Sequence, residues 1–156
     1  MDVDRTRSVL EAFEAEGLEY VIFGAVAINL LGLSRATEDL DVFIAASADN
    51  IERLKRALHR VFDDAHIDEI SPEDLLGEYP AVKYVPPEGD FYIDILTRLG
   101  EVYRFDNVRA EKVDFLGLRV NVATPRMLYE MKKDTLRPKD WGDAELLRQR
   151  FHLGEV

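Results

Sequence analysis

Short runs of apolar and aromatic residues alternate along this chain with segments whose apolar residues recur at helical spacing. The strands expected from these runs are Tyr20–Phe23, Leu40–Ile44, Ala81–Val85 and Phe91–Leu96, followed by a hairpin of Val108–Phe115 and Leu118–Val122. The expected helices are Thr6–Glu16, Ala25–Leu31, a segment carrying Ile51 to Phe62 that Ser47 or Asp49 caps, Pro125–Asp134 and Pro138–Phe151. This order predicts an α/β (α+β) fold, a mixed β-sheet flanked by helices, in one domain over residues 1–156.

The charge balance restricts the partners that such a domain can bind. The 156 residues carry 20 Lys and Arg against 31 Asp and Glu, which gives a formal net charge of −11. Such a surface repels duplex DNA and anionic membranes, so that any polyanion must be held by a local basic feature. The absence of cysteine excludes disulfides and thiolate metal sites. A charged amino terminus and the lack of a long apolar run predict a cytoplasmic protein without a signal peptide or membrane span.

Two acidic residues alternate with aliphatic residues in the second predicted strand. Asp39 and Asp41 are two positions apart, so their side chains project to the same face of the strand. Two neighbouring carboxylates raise each other's pKa unless a cation lies between them, and Mg²⁺ is the divalent cation that prefers such oxygen ligands. A pattern of three residues is more often the solvated beginning of a strand, so on its own it does not establish a metal site.

A third acidic residue interrupts the otherwise apolar and aromatic strand Phe91–Leu96. Burying a lone carboxylate is costly unless the group is paired, bound to a metal or protonated. If this strand lies beside Leu40–Ile44, Asp94 completes a cluster of three carboxylates with Asp39 and Asp41. The alternative is an edge strand that exposes Asp94 to solvent, which we consider less favoured.

Two further features are compatible with phosphate binding. Gly24 ends a strand and opens a helix, where free backbone N–H groups can receive a phosphate, although many helices begin after a glycine. Lys132 lies on a later helix and is either a phosphate ligand or a solvated cation balanced by Glu130 or Asp134. Composition alone favours the solvated cation. The sequence contains neither a dinucleotide-binding fingerprint nor a P-loop.

In their order along the chain, these features resemble the motifs of the nucleotidyltransferase superfamily, which has the DNA polymerase β-like fold. The likeness is greatest to the bacterial AbiEii/AbiGii-type toxins and their small relatives. The matching residues are Gly24-Ala25, then Gly32-Leu33-Ser34-Arg35-Ala36-Thr37 with Asp39-Leu40-Asp41, then Asp94, then Lys132, Arg137-Pro138-Lys139-Asp140 and Asp143. The likeness spans roughly residues 17 to 150, with a core motif in 17–96 and the hairpin and two helices in 108–151.

The resemblance implies an enzyme that transfers a nucleoside monophosphate from an NTP to an acceptor hydroxyl and releases pyrophosphate. It implies that Asp39, Asp41 and Asp94 are catalytic and ligate two Mg²⁺ ions, and that Asp94 also helps to deprotonate the acceptor. The nucleotide-binding residues that it implies are Gly24, Ala25, Arg35, Thr37 and Lys132, where Arg35 and Thr37 either touch phosphate or support the carboxylate strand. An ion pair between Arg137 and Asp140 is expected to fix the carboxy-terminal helices.

The resemblance leaves the acceptor open. It is either tRNA, as for a toxin that has a cognate antitoxin, or a small hydroxylated molecule such as an antibiotic. Ala25 departs from the family pattern, which usually has Gly or Ser here, because alanine has no hydroxyl to bind the terminal phosphates. The alternative is therefore a catalytically weak or inactive module of the same fold that acts as a binding or antitoxin-like partner.

Overall fold

A six-stranded mixed β-sheet lies at the centre of the computed structural model, which describes residues 1–35, 37, 39–78, 80–133 and 138–154. The eight strands are β1 (Tyr20–Phe23), β2 (Asp39–Ile44), β3 (Ala81–Tyr84), β4 (Tyr92–Leu96), β5 (Arg98–Leu99), β6 (Tyr103–Arg104), β7 (Ala110–Phe115) and β8 (Leu118–Ala123). The sheet has the order β3-β4-β2-β1-β8-β7, and β5 pairs with β6 outside it. The edges of the sheet are therefore β3 and β7.

Six α-helices accompany the sheet: α1 (Val3–Ala15), α2 (Gly24–Leu30), α3 (Ala48–Val61), α4 (Pro72–Leu76), α5 (Pro125–Lys133) and α6 (Pro138–Phe151). Helix α1 begins three residues before the predicted start, because the Asp2 side chain accepts a hydrogen bond from the Arg5 backbone N–H at 3.0 Å and caps it. Helix α2 begins at Gly24 itself rather than at Ala25. Asp134, the predicted end of α5, lies outside the described residues.

The pairing of the central strands confirms the predicted mixed sheet and decides where the acidic residues lie. Strand β2 runs antiparallel to β1 on one side and parallel to β4 on the other. The adjacency of β2 and β4 is the condition on which the predicted cluster of three carboxylates depended. Helix α4, the strands β5 and β6 and two 3-10 turns, which the sequence did not predict, follow the first three helices.

Helices α1 and α3 pack against each other, and the apolar stripe of α3 is fully buried at Ile51, Leu54 and Leu58. These side chains join the apolar faces of the strands in one continuous core. The stripe has the spacing expected for an amphipathic helix, and Ser47 caps its first turn by accepting from the Asn50 N–H at 3.1 Å. Among the described residues, no helix combines the length and apolar character needed to cross a membrane.

Asn50 is a buried polar residue that joins α3 to the sheet. Its side chain is 1% exposed, and Oδ1 accepts from the Glu19 backbone N–H at 2.9 Å. The side-chain amide donates to the carbonyl oxygens of Glu19 and Ala45, both at 3.0 Å. One side chain thus bonds to backbone groups just before β1 and just after β2, beside the backbone hydrogen bond from the Ala45 N–H to the Glu19 carbonyl at 3.1 Å.

Asn50→Ala is expected to lower the free energy of unfolding by about 2–3 kcal/mol, because it leaves buried backbone groups without hydrogen-bond partners. Urea unfolding followed by circular dichroism measures this change. The matched control is Asn107→Ala, which removes similar bonds to the Arg104 N–H and the Val102 carbonyl at an exposed position where water replaces them. Equal losses in the two variants would contradict the prediction.

Candidate active site

Three carboxylates meet on one face of the sheet, as the sequence predicted. Asp41 and Asp94 are direct partners in the parallel register of β2 and β4, and Asp39 lies two residues before Asp41 on the same face. One carboxylate oxygen from each residue lies within 4.8 Å of the other two. All three side chains are partly buried, so they are accessible to a ligand but shielded from bulk water.

Residues just before β2 fix the position of Asp39. The Thr37 hydroxyl lies 2.8 Å from Asp39 Oδ1, and the Asp39 backbone N–H donates back to Thr37 Oγ1 at 3.2 Å. The Asn29 side chain of α2 donates to the Arg35 carbonyl at 2.6 Å and accepts from the Arg35 N–H at 2.8 Å. Thr37 is thus a supporting residue for the carboxylate cluster, and Asn29 is a supporting residue that sequence reasoning missed.

Gly24 lies directly beneath the Asp41 carboxylate. Its φ of +70° is a left-handed conformation that favours glycine. A Cβ atom at this position would lie 2.1 Å from Asp41 Oδ2, which is far inside van der Waals contact. The glycine is therefore required by the carboxylate that packs on it, a reason that the sequence alone did not provide.

A buried network of ion pairs borders the cluster. Lys132 Nζ lies 2.9 Å from Asp143 Oδ2 and 3.2 Å from Asp140 Oδ1, and Arg35 Nε lies 2.8 Å from Asp143 Oδ1. The network connects the loop before β2 to helices α5 and α6. The predicted partner of Asp140, Arg137, lies outside the described residues.

Burial and mutual repulsion together raise the pKa values of the central carboxylates. Burial raises the pKa of Asp41 to about 8, with further contributions from the charges of Asp39 and Asp94, while the Lys132 ammonium opposes the shift. Burial also raises the pKa of Asp94, against the hydrogen bond with Asp41 and the positive charge of Lys83. A hard divalent cation would stabilise the ionised forms, so this donor set fits Mg²⁺.

A cleft of about 820 Å³ opens over the carboxylates, which is within the range of small-molecule sites. Of the residues predicted to bind nucleotide, Gly24, Ala25, Arg35 and Lys132 line the cleft, and Thr37 contacts Asp39 behind it. Sequence reasoning missed several other lining residues, namely Lys83, Leu96, Leu99, Leu128 and Met131, and it gave Lys139 of the closing motif no binding role. Only the register of β3 with β4 places Lys83 here, and periodicity does not specify that register.

Sequence comparisons find no match, whereas structural comparison finds proteins of similar fold. No protein-family model matches the chain, and no curated protein matches it in sequence. ANT(2'')-Ia, solved in complex with adenylyl-2''-tobramycin, superimposes with a TM-score of 0.59 at 14% identity, covering 96% of this chain and 88% of that one. The lincosamide antibiotic adenylyltransferase LnuA, solved with lincomycin bound, gives a TM-score of 0.59 at 14% identity and covers 93% of this chain and 95% of its own. The chain has the nucleotidyltransferase fold.

A third structure with the nucleotidyltransferase fold extends the likeness beyond antibiotic-modifying proteins. An antigenic nucleotidyltransferase-like protein from Paracoccidioides brasiliensis gives a TM-score of 0.58 at 18% identity and covers 99% of this chain and 78% of that one. The predicted nucleotidyltransferase fold is thereby confirmed. None of these structures bears on the resemblance to AbiEii/AbiGii-type toxins, which stays a prediction.

Gly24→Ala is expected to weaken Mg²⁺ binding by about tenfold or more, because the new methyl group displaces the Asp41 carboxylate from the cluster. Calorimetric titration with Mg²⁺ measures the affinity. Gly32→Ala is the matched control, since Gly32 also has a positive φ, +96°, but a Cβ there meets nothing within 4 Å. Both variants lose about 1–2 kcal/mol of stability from backbone strain. Unchanged Mg²⁺ affinity in Gly24→Ala would show that Asp41 does not need this glycine.

Asp41→Asn is expected to stabilise the metal-free protein increasingly as the pH rises from about 4 to about 8. A carboxyl whose pKa is raised on folding binds its proton more tightly in the folded state, so the wild-type free energy of unfolding falls over this range. Asparagine does not ionise and avoids that loss. Melting temperatures in EDTA, compared with those of the exposed Asp90→Asn variant, measure the difference. A pH-independent gap between Asp41→Asn and wild type would contradict it.

Proposed function

We propose that the chain is a Mg²⁺-dependent nucleotidyltransferase that moves a nucleoside monophosphate from an NTP to an acceptor hydroxyl. The observation that carries this proposal is the convergence of Asp39, Asp41 and Asp94 in a cleft of the nucleotidyltransferase fold. The acceptor oxygen forms a bond to the α-phosphorus while the bond from that phosphorus to the bridging oxygen breaks. Pyrophosphate leaves with the bonding electrons.

We assign metal binding to all three carboxylates and the role of general base to Asp94. Asp39 and Asp41 face the cleft as adjacent oxygen donors and would hold Mg²⁺ together with Asp94. Bound Mg²⁺ supplies electrostatic stabilisation of the attacking and leaving oxygens. Asp94 accepts the proton of the acceptor hydroxyl, and burial, which raises the pKa of Asp94 above its ordinary value, makes this carboxylate a stronger base.

Lys132 is the cation that we assign to the triphosphate. It lines the cleft, and its charge acts on Asp41, so it lies close to the place where phosphate oxygens meet the carboxylates. Asp140 and Asp143 hold its ammonium group while its side chain is only 14% exposed. Lysine in such a setting acts as a positioned point charge for phosphate.

Two kinds of acceptor are compatible with this chemistry. The named substrates of the structural neighbours favour a small hydroxylated molecule, since ANT(2'')-Ia and LnuA were solved with an adenylylated antibiotic and an antibiotic respectively. A tRNA acceptor, with a cognate antitoxin as partner, rests on the sequence resemblance alone. Ala25 lines the cleft without a hydroxyl, and this observation favours the alternative of a weakly active or inactive binding module.

Asp39→Asn, Asp41→Asn and Asp94→Asn are each expected to reduce nucleotidyl transfer by about 100-fold or more, because each removes a charged oxygen ligand from the cluster. Transfer from labelled NTPs in the presence of Mg²⁺, to total RNA and to hydroxylated small molecules, measures the effect. Asp90→Asn, an exposed acidic residue between β3 and β4, is the control and retains activity.

Binding separates the enzyme from the inactive module. Calorimetry is expected to show Mg²⁺-ATP binding by the wild-type protein and its loss in the doubly substituted Asp39→Asn, Asp41→Asn variant. Mg²⁺-ATP binding without transfer to any acceptor class would favour the binding module. A wild-type protein that neither binds Mg²⁺-ATP nor labels any acceptor would overturn the proposed function.

A further inference from the structure

One row of side chains crosses four adjacent strands of the sheet. In the register of the strands, Phe23 of β1 lies opposite Asp41 of β2, Asp41 lies opposite Asp94 of β4, and Asp94 lies opposite Lys83 of β3. Directly opposed residues share a face of a sheet, so Lys83 continues the row beyond the carboxylates. It lines the same cleft, at the opposite end of this row from Phe23, which directly precedes Gly24.

Lys83 differs from Arg35 and Lys132 in what it contacts. Arg35 and Lys132 form ion pairs with buried aspartates, whereas Lys83 makes no ion pair with any carboxylate in the described part of the chain. Its ammonium group lies 4.3 Å from the centroid of the Tyr92 ring, and its side chain is exposed. The aromatic face holds the ammonium by a cation–π interaction while leaving its N–H donors available.

Beyond Asp94, the side chains that share the face of Lys83 on β3 and β4 are apolar or aromatic. Ala81 and Leu96 are opposite each other in the register of β3 and β4 and share its face, and Leu99 adds a further apolar side chain to this end of the cleft. Within β3 and β4, Lys83 is the single positive charge on this face, between the Asp94 carboxylate and the apolar side chains. With Mg²⁺ neutralising the carboxylates, this arrangement fits an organic molecule with one anionic group, and Lys83 would repel a cationic one.

If the proposed function holds, the geometry of the displacement places the acceptor at the β3 end of the cleft, beside Lys83. In an in-line displacement, the attacking oxygen approaches from the side opposite to the leaving pyrophosphate. We assign the triphosphate to the Asp41 side of the row, because Gly24 packs on Asp41 and the charge of Lys132 acts on it. The acceptor then enters from the β3 side, past Lys83, to reach Asp94 in the middle of the row.

We propose that Lys83 is a specificity-determining residue that selects an acceptor carrying an anionic group, a phosphate or a carboxylate, near its reacting hydroxyl. The Lys83 ammonium donates charge-assisted hydrogen bonds to the anionic group of the acceptor. The rest of the acceptor packs on the neighbouring apolar side chains. A chain with a net charge of −11 has a general field that repels anions, so a local cation is needed where an anionic acceptor binds.

A binding experiment tests this directly. Protein saturated with Mg²⁺ and a non-hydrolysable ATP analogue is titrated with glycerol 3-phosphate and with glycerol, and NMR shifts are followed at the β3 and β4 amides. Lys83→Met is expected to bind glycerol 3-phosphate about tenfold more weakly, with glycerol binding unchanged. Lys83→Arg keeps the charge and the affinity. Lys112→Met, at an exposed lysine of the opposite edge strand, is the matched control and matches the wild type.

A transfer experiment distinguishes the sources of the anion. Labelled ATP is offered with glucose, glucose 6-phosphate, a short RNA with a free 3′ hydroxyl, and tobramycin. Lys83→Glu is expected to lose activity on phosphate-bearing acceptors and to gain relative activity on tobramycin. Dependence on Lys83 with glucose 6-phosphate assigns a small phosphorylated substrate, and dependence with the RNA assigns nucleic-acid phosphates.

The outcomes separate this inference from the proposed function. If wild type and Lys83→Met bind glycerol 3-phosphate equally, or if neither binds it, the role of Lys83 is overturned while Mg²⁺-ATP binding and transfer still stand. Preferred transfer to tobramycin by the wild type also overturns it. If the ATP analogue itself does not bind with Mg²⁺, the proposed function fails, and the assignment of the acceptor end fails with it.

Discussion

The fold must hold three mutually repelling carboxylates close together on a largely buried sheet, and the rest of the structure depends on this requirement. Asp39, Asp41 and Asp94 are brought within 4.8 Å by the parallel pairing of β2 and β4, a position that neither burial nor like charge favours. The rest of the core must therefore offset the unfavourable free energy of bringing these three like charges together. Apolar packing of α1 and α3 and the hydrogen bonds of Asn50 do so on elements outside the carboxylate cluster.

Much of the fold was predictable because its elements have strong local signals. The alternation in Leu40–Ile44 and the apolar stripe from Ile51 to Leu58 are periodic enough to specify a strand and a helix. The boundaries of α1 and α2 were less predictable, since they depend on the Asp2 cap and on a left-handed glycine. Helix α4 and the strands β5 and β6 are too short to produce a periodic pattern.

The site residues that are close in sequence could be predicted to lie together. Those that strand pairing brings together could not. Asp39 and Asp41 share a face by spacing alone, whereas their meeting with Asp94 depended on an adjacency that the sequence could only suggest. Lys83 was missed because a lysine on an edge strand has the same sequence signature whether or not it faces a cleft. The requirement for Gly24 became clear only from the position of the Asp41 carboxylate.

The two edges of the sheet carry one consequence beyond the site. Strands β3 and β7 each have an exposed lysine near their middle, Lys83 and Lys112, at opposite ends of the strand order. Open edges with free backbone N–H and carbonyl groups can recruit strands from other molecules, and lysine on such an edge discourages this pairing. Lys83 and Lys112 thereby discourage the pairing of a strand from another molecule with either edge of the sheet that the described residues form.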